Sequence, residues 1–99
     1  MKKQELKQVM FSVARRLQAH GIIVNECLSS VQLRYVEGVP VVWMALALLP
    51  LGCGITKRSL KSALESRPCN GWRIVYRDFD RSPPVPAVFV ACVPCEAGR

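Results

Sequence analysis

The sequence CVPC, Cys92 to Cys95, has the spacing of thiol-redox and zinc-binding pairs. A redox cysteine gains its low pKa at the start of a helix, and only residues 96–99 follow this pair. A structural zinc site takes four ligands, but the sequence has no second CxxC and no histidine pair. Cys27 or Cys69 could in principle complete a site, although single cysteines more often lie in a core. Cys92 and Cys95 are therefore weak metal or redox candidates, and we expect no cofactor.

Other residues that could carry catalysis are few. Asp78 and Asp80 would share one face of an extended chain, as in some divalent-cation sites, but arginines flank both, which favours a solvated ion-pair cluster. His20 is the only histidine, and it is expected to cap the first helix. The glycine-rich residues 52–54 lack the lysine and serine of a phosphate-binding loop. We therefore predict that the protein is not an enzyme.

The basic residues are the main candidates for binding. Lys and Arg number 14 against 7 Asp and Glu, a net charge of +7 that favours polyanionic partners. The predicted third strand places Arg73, Arg77 and Phe79 on one face, and Arg34 points outward from the first strand. This pattern resembles an RNA-binding sheet, but the aromatic consensus and the βαββαβ order of the RNA-recognition fold are absent.

A second basic cluster, Lys57, Arg58 and Lys61, begins the predicted second helix, where such charges usually form a solvated face. A protein partner would instead be held by apolar anchors such as Trp72 or Phe79. The candidate binding surface comprises Arg34, Lys57, Arg58, Lys61, Trp72, Arg73, Arg77 and Phe79.

Hydrophobic periodicity predicts the elements that would position these residues. Apolar side chains recur with helical spacing from Leu6 to Leu17, which predicts a helix over 3–20 that ends at Gly21. Residues 31–36 alternate as a strand, and Glu37-Gly38 predicts a tight turn that pairs Val36 with Val39.

The second half of the chain is predicted to form a second helix and two further strands, without any internal sequence repeat. Thr56 is the predicted N-cap of a second helix that Pro68 stops. The turn Asn70-Gly71 and the alternation over 72–79 predict a third strand, and a proline-rich loop leads to a fourth over 87–93.

The apolar stretch VPVVWMALALLPLGCG, residues 39–54, has three interpretations. A membrane span is disfavoured because prolines and glycines leave only residues 41–49 uninterrupted, about 14 Å of helix against a bilayer core of about 30 Å. A buried helix that starts at Pro40 is a stronger alternative. We favour a core strand, since residues 31–36 need a pairing partner and a run that is apolar on both sides is typical of a covered interior strand.

Two segments, KKQELKQVMFSVARRLQAHGIIV (2–24) and GVPVVWMALALLPLGCGITKRSL (38–60), carry a resemblance that covers about half of the chain. On these segments the chain resembles a family of small uncharacterised accessory proteins carried by satellite-phage-like prophages of enteric bacteria. The resemblance implies a cytoplasmic, non-enzymatic protein that binds a host or phage macromolecule, and it assigns no functional residues.

We predict a single α+β domain over residues 1–99, with two helices packed on a mainly antiparallel four-stranded sheet in the order α-β-β-α-β-β. No signal-peptide-like apolar segment follows the charged N-terminus, so we expect a cytoplasmic protein that does not contact membranes. The leading functional hypothesis is an accessory or regulatory protein that binds another protein. Nucleic-acid binding is the alternative, and a zinc or thiol-redox protein is the third hypothesis.

Overall fold

The chain folds into two helices and a four-stranded antiparallel sheet in the order α-β-β-α-β-β, which confirms the predicted fold class. The computed structural model describes residues 2–49, 55–81 and 85–95. Its elements are α1 (Lys3–Ala19), β1 (Val24–Val36), β2 (Val39–Leu48), α2 (Lys57–Glu65), β3 (Trp72–Asp80) and β4 (Ala87–Pro94).

The strands lie in the order β1-β2-β4-β3, so the sheet consists of two hairpins joined through β2 and β4. The most apolar strands thus occupy the centre, where both of their edges are hydrogen-bonded. Residues 39–48 of the apolar stretch form β2, which confirms the strand interpretation over a helix. Within the described residues, no helix is long and apolar enough to cross a membrane.

The turn of the β1–β2 hairpin and the turn just before β3 both lie where the sequence predicted them. Glu37 and Gly38 have φ angles of 52° and 80°, and Asn70 and Gly71 have φ angles of 50° and 84°. Two consecutive positive φ angles match the right-handed twist of the flanking strands, which explains the glycine in each turn. Val36 pairs with Val39, as predicted.

Local hydrogen bonds define the end of α1 and the start of α2. The N–H of Gly21, whose φ is 79°, donates to the carbonyl of Gln18 at 2.9 Å, and this ends α1. At the start of α2, the Thr56 hydroxyl accepts from the Ser59 N–H at 3.0 Å, and the Ser59 hydroxyl accepts from the Thr56 N–H at 2.9 Å. Thr56 is therefore the N-cap that the sequence predicted.

The hydrophobic core lies between the helices and one face of the sheet. The helices contribute the apolar stripes predicted from their periodicity, and β2 and β4 contribute every second residue. The central core residues are Met10, Val13, Ala14, Leu17, Val42, Met44, Leu46, Leu48, Leu60, Ala63, Leu64, Val88, Val90 and Cys92. No charged or polar residue is buried among the described residues, so apolar burial holds the two layers together.

Arg16 joins the two helices through backbone carbonyls. Its guanidinium donates to the carbonyl of Leu64 at 3.3 Å, to that of Pro68 at 3.1 Å, and to that of Arg67. These carbonyls lie at and just beyond the end of α2, where helical hydrogen bonding leaves acceptors unpaired. One side chain of α1 thus caps the C-terminal end of α2.

Replacing Arg16 with alanine is expected to lower the free energy of unfolding by about 1.5–3 kcal/mol, because charged hydrogen bonds to the end of α2 are lost. Urea denaturation followed by circular dichroism measures this change. The exposed neighbour provides the control, since Arg15→Ala should change stability by about 0.5 kcal/mol or less. Equal stability of the two variants would contradict the capping role.

Candidate functional site

The sheet face opposite the helices is not covered by any element in the described part of the chain. Strand alternation turns Val42, Met44 and Leu46 toward the helices, so the residues between them point to the other side. We call this other side the open face. Its residues are Ser30, Gln32, Arg34, Val36, Val39, Val41, Trp43, Ala45, Ala47, Arg73, Val75, Arg77, Asp78, Asp80, Ala87, Phe89, Ala91 and Val93.

The centre of the open face is apolar. Trp43 lies opposite Ala91, and Ala45 lies opposite Phe89, in the pairing of β2 with β4. Ala91 is only 5% exposed although no described element covers it, because larger side chains surround it, whereas Phe89 is 38% exposed. A two-layer fold therefore presents an aromatic and aliphatic patch to solvent, a feature that marks interaction sites.

Arginines border this apolar centre on both sides. Arg34 lies on the edge strand β1, and Arg73 and Arg77 lie on the opposite edge strand β3. The Arg77 guanidinium reaches across β4 and lies 5.6 Å from the centroid of the Trp43 ring, within the range of a cation–π interaction. Among the described residues, Arg34 and Arg73 have no acidic partner, so their charges are available to a ligand.

Two pockets open onto this face. One of about 300 Å³ lies between β1 and the central strands and is lined by Ser30, Gln32, Arg34, Trp43, Met44, Ala45 and Phe89. The other, of about 590 Å³, is lined by Val39, Arg73, Val93, Pro94 and Cys95. The indole N–H of Trp43 is buried without an acceptor in the described part of the chain. The first pocket therefore combines two aromatic rings with a guanidinium.

The open face brings together only part of the predicted binding surface. Arg34, Arg73 and Arg77 lie on it, as predicted, but Trp72 and Phe79 do not. Phe79 is 7% exposed and belongs to the core, and Trp72 packs against that core from the same side of the sheet. The prediction that Phe79 shares a face with Arg73 and Arg77 is therefore wrong.

A β-bulge explains the position of Phe79. The register of β3 against β4 shifts between Tyr76 and Asp78, so Arg77 is an extra residue and Phe79 pairs with Val88 on the core side. Side chains satisfy the backbone on both sides of the bulge. The Phe79 N–H donates to the Asp78 carboxylate at 2.8 Å, and the Tyr76 N–H donates to Glu65 of α2 at 2.9 Å.

The second predicted basic cluster lies on α2, in the helical layer. Lys57 contacts Asp78 at 3.9 Å, and Lys61 contacts Glu65 at 4.0 Å, while Arg58 is exposed. These pairs are largely solvated, and such pairs contribute little to stability. The chain therefore does not combine its two groups of basic residues into one surface.

The C-terminal cysteines do not form a two-sulfur site in this structure. Cys92 is fully buried on the core side, whereas Cys95 lines the pocket that opens onto the opposite face. Burial raises the pKa of the Cys92 thiol from 9.0 to about 12, with a further rise from neighbouring Cys69 that outweighs a lowering effect of Arg16. Cys92 is therefore an unreactive core residue, whereas Cys27 is exposed. Cys53 lies outside the described residues.

Cys92 is expected to react far more slowly with iodoacetamide at pH 8 than Cys27 does. A rise of about three pKa units reduces the reactive thiolate roughly 1000-fold, and burial blocks access as well. Peptide mass spectrometry of a timed reaction measures both rates in one sample. Reaction in urea is the control, since both thiols should then react alike; equal rates in the native protein would contradict the buried position of Cys92.

Sequence reasoning missed the two aromatic residues of the open face, Trp43 and Phe89. It treated β2 as a strand covered on both sides, whereas the helices cover only one side. The signal was present in β4, where Phe89 lies between two valines that face the core. A two-layer fold with apolar residues on both faces of its central strands has to expose some of them.

Comparisons of the chain with known protein families, curated proteins and solved structures find no match.

Proposed function

We propose that this protein is a non-enzymatic accessory or regulatory module that binds another protein through the open face. The observation that carries the proposal is the apolar centre around Trp43 and Phe89, which no element covers within the described residues. Burying such a patch against a partner releases the water that it orders, which is the main driving force of protein association.

The composition of the open face fits a protein interface. Aromatic residues and arginine are enriched at protein interfaces, where they supply most of the binding energy. Trp43 and Phe89 provide the aromatic anchors, and Arg34, Arg73 and Arg77 provide a charged border. The resemblance to prophage accessory proteins would place this partner among cytoplasmic host or phage proteins.

Nucleic-acid binding is the alternative, and the net charge of +7 favours it. Two features make it the weaker proposal. Lys57, Arg58 and Lys61 lie in the helical layer, so they would not support phosphate contacts made by the open face. Trp43 is half-buried beneath Arg77 and presents little free ring surface for base stacking.

The test is an affinity capture from lysate of an enteric bacterium, with and without nuclease treatment. We expect captured protein that survives nuclease, because the contact does not pass through nucleic acid. Phe89→Asp should abolish capture by placing a charge in the apolar centre. Ser62→Asp on the exposed side of α2 introduces the same charge and should leave capture unchanged. Capture that disappears on nuclease treatment would overturn the proposal in favour of nucleic-acid binding.

A further inference from the structure

We infer that the open face recognises an acidic segment of its partner, in which an apolar side chain enters the pocket beside Trp43 and Phe89 while a neighbouring carboxylate binds Arg34. This inference rests on the proposed function and names the chemistry of the partner at that same site.

The pocket supplies the apolar half of the recognition. It has a volume of about 300 Å³, the lower end of the range for ligand sites, which suits an inserted side chain better than a large cofactor. Trp43, Ala45 and Phe89 form apolar parts of its lining. An aliphatic or aromatic anchor from the partner would bury the exposed part of the Phe89 ring.

The arginines supply the charged half. Arg34 lines the same pocket, is exposed, and has no acidic partner in the described part of the chain. A guanidinium binds a carboxylate through two parallel hydrogen bonds, which fixes the orientation of the acidic residue as well as its charge. Arg73 and Arg77 add positive charge on the far side of the face, where Lys57 offsets the charge of Asp78 on the same strand.

Charge complementarity also favours an acidic partner over a second copy of this chain. Each copy carries a net charge of +7, so two copies joined face to face would repel each other. Like charges that meet across an interface cost binding free energy and slow association. An acidic segment would instead be attracted by the same arginines, which favours its binding.

The experiment is a selection from a library of random twelve-residue peptides displayed on phage, with the folded full-length protein as bait. We expect enrichment of peptides that carry Asp or Glu next to an aliphatic or aromatic residue. Phe89→Asp bait should retain none of them, and Ser62→Asp bait should retain all of them. NMR shift changes on addition of a selected peptide should fall on the open face.

A double-mutant cycle then tests the contact with Arg34. Replacing Arg34 with glutamine should weaken the binding of a selected peptide by about tenfold, and replacing the peptide's acidic residue with its amide should weaken binding by a similar factor. The two changes together should cost no more than either alone, because they remove the same contact.

Three other outcomes would contradict the inference. Selected peptides that are neutral or basic, yet bind the open face, would overturn the acidic-segment inference and leave the proposed function intact. If the protein binds oligonucleotides and no peptide is enriched above phage that display none, both the inference and the proposed function are overturned. A concentration-dependent dimer in light scattering that Phe89→Asp abolishes would replace the acidic partner with a second copy.

Discussion

Leu46→Asp is expected to unfold the protein. Leu46 is fully buried in the central strand β2, opposite Val88 and among the core residues that both helices cover. An unpaired carboxylate at this position costs several kcal/mol, a large part of the 5–15 kcal/mol that stabilises a typical domain. Circular dichroism and soluble expression should both show the loss of structure, whereas the wild type should express in the soluble fraction without detergent.

Two control variants separate a lost core contact from a general intolerance of this strand. Leu46→Val keeps the position apolar and suits a strand, so it should cost about 1 kcal/mol. Ala45→Asp introduces the same charge one residue earlier, on the half-buried open face, and should leave a folded protein. Unfolding by both aspartates, or by neither, would contradict the assignment of one covered and one open side to β2.

Local signals were sufficient to predict the elements. The apolar stripe from Leu6 to Leu17 fixes which side of α1 is buried, and the cap at Thr56 sets the start of α2. The turns at Glu37-Gly38 and Asn70-Gly71 each depend on two neighbouring residues. Each of these features depends only on residues that are close together in the sequence.

The full length of β1 was less visible in the sequence. Residues 31–36 alternate and were predicted, but β1 begins at Val24 and its register shifts between Asn25 and Ser30. The Ser29 hydroxyl accepts from the Ala47 N–H at 2.9 Å and donates to the Asn25 carbonyl at 2.7 Å. A side chain therefore replaces part of the backbone pairing, and no period-two pattern can reveal that exchange.

The candidate site was the least predictable part. Alternation shows which residues of one strand share a face, but it does not show which face the helices cover. The sequence of β3 also alternates through Arg77, where the bulge reverses the facing of every later residue. This reversal moved Phe79 into the core, and the aromatic side chains of the open face come from β2 and β4 instead.

Phe89→Ala is expected to weaken partner binding by roughly 30-fold or more, the effect of losing about 2 kcal/mol at an interface hot spot. Phe89 is one of the exposed large apolar side chains and lies at the centre of the open face, so truncation should remove binding energy with little loss of stability. Titration calorimetry with the captured partner, with urea denaturation of the same variant, measures both effects.

The matched comparison is the double variant Arg73→Ala with Arg77→Ala, which removes charge from the same face. For a protein partner, its effect should be smaller than that of Phe89→Ala and should shrink further as salt screens the arginines.

For a nucleic-acid ligand, the arginine variant should weaken binding more than Phe89→Ala does, because each phosphate contact made by an arginine releases counterions. Its affinity falls with salt at a log–log slope of about −0.7 to −0.9 per contact, and losing both arginines should flatten that slope by about one to two units. Submicromolar binding of random DNA or RNA at physiological salt that disappears in the arginine variant, but survives Phe89→Ala, would show that the open face serves nucleic acid.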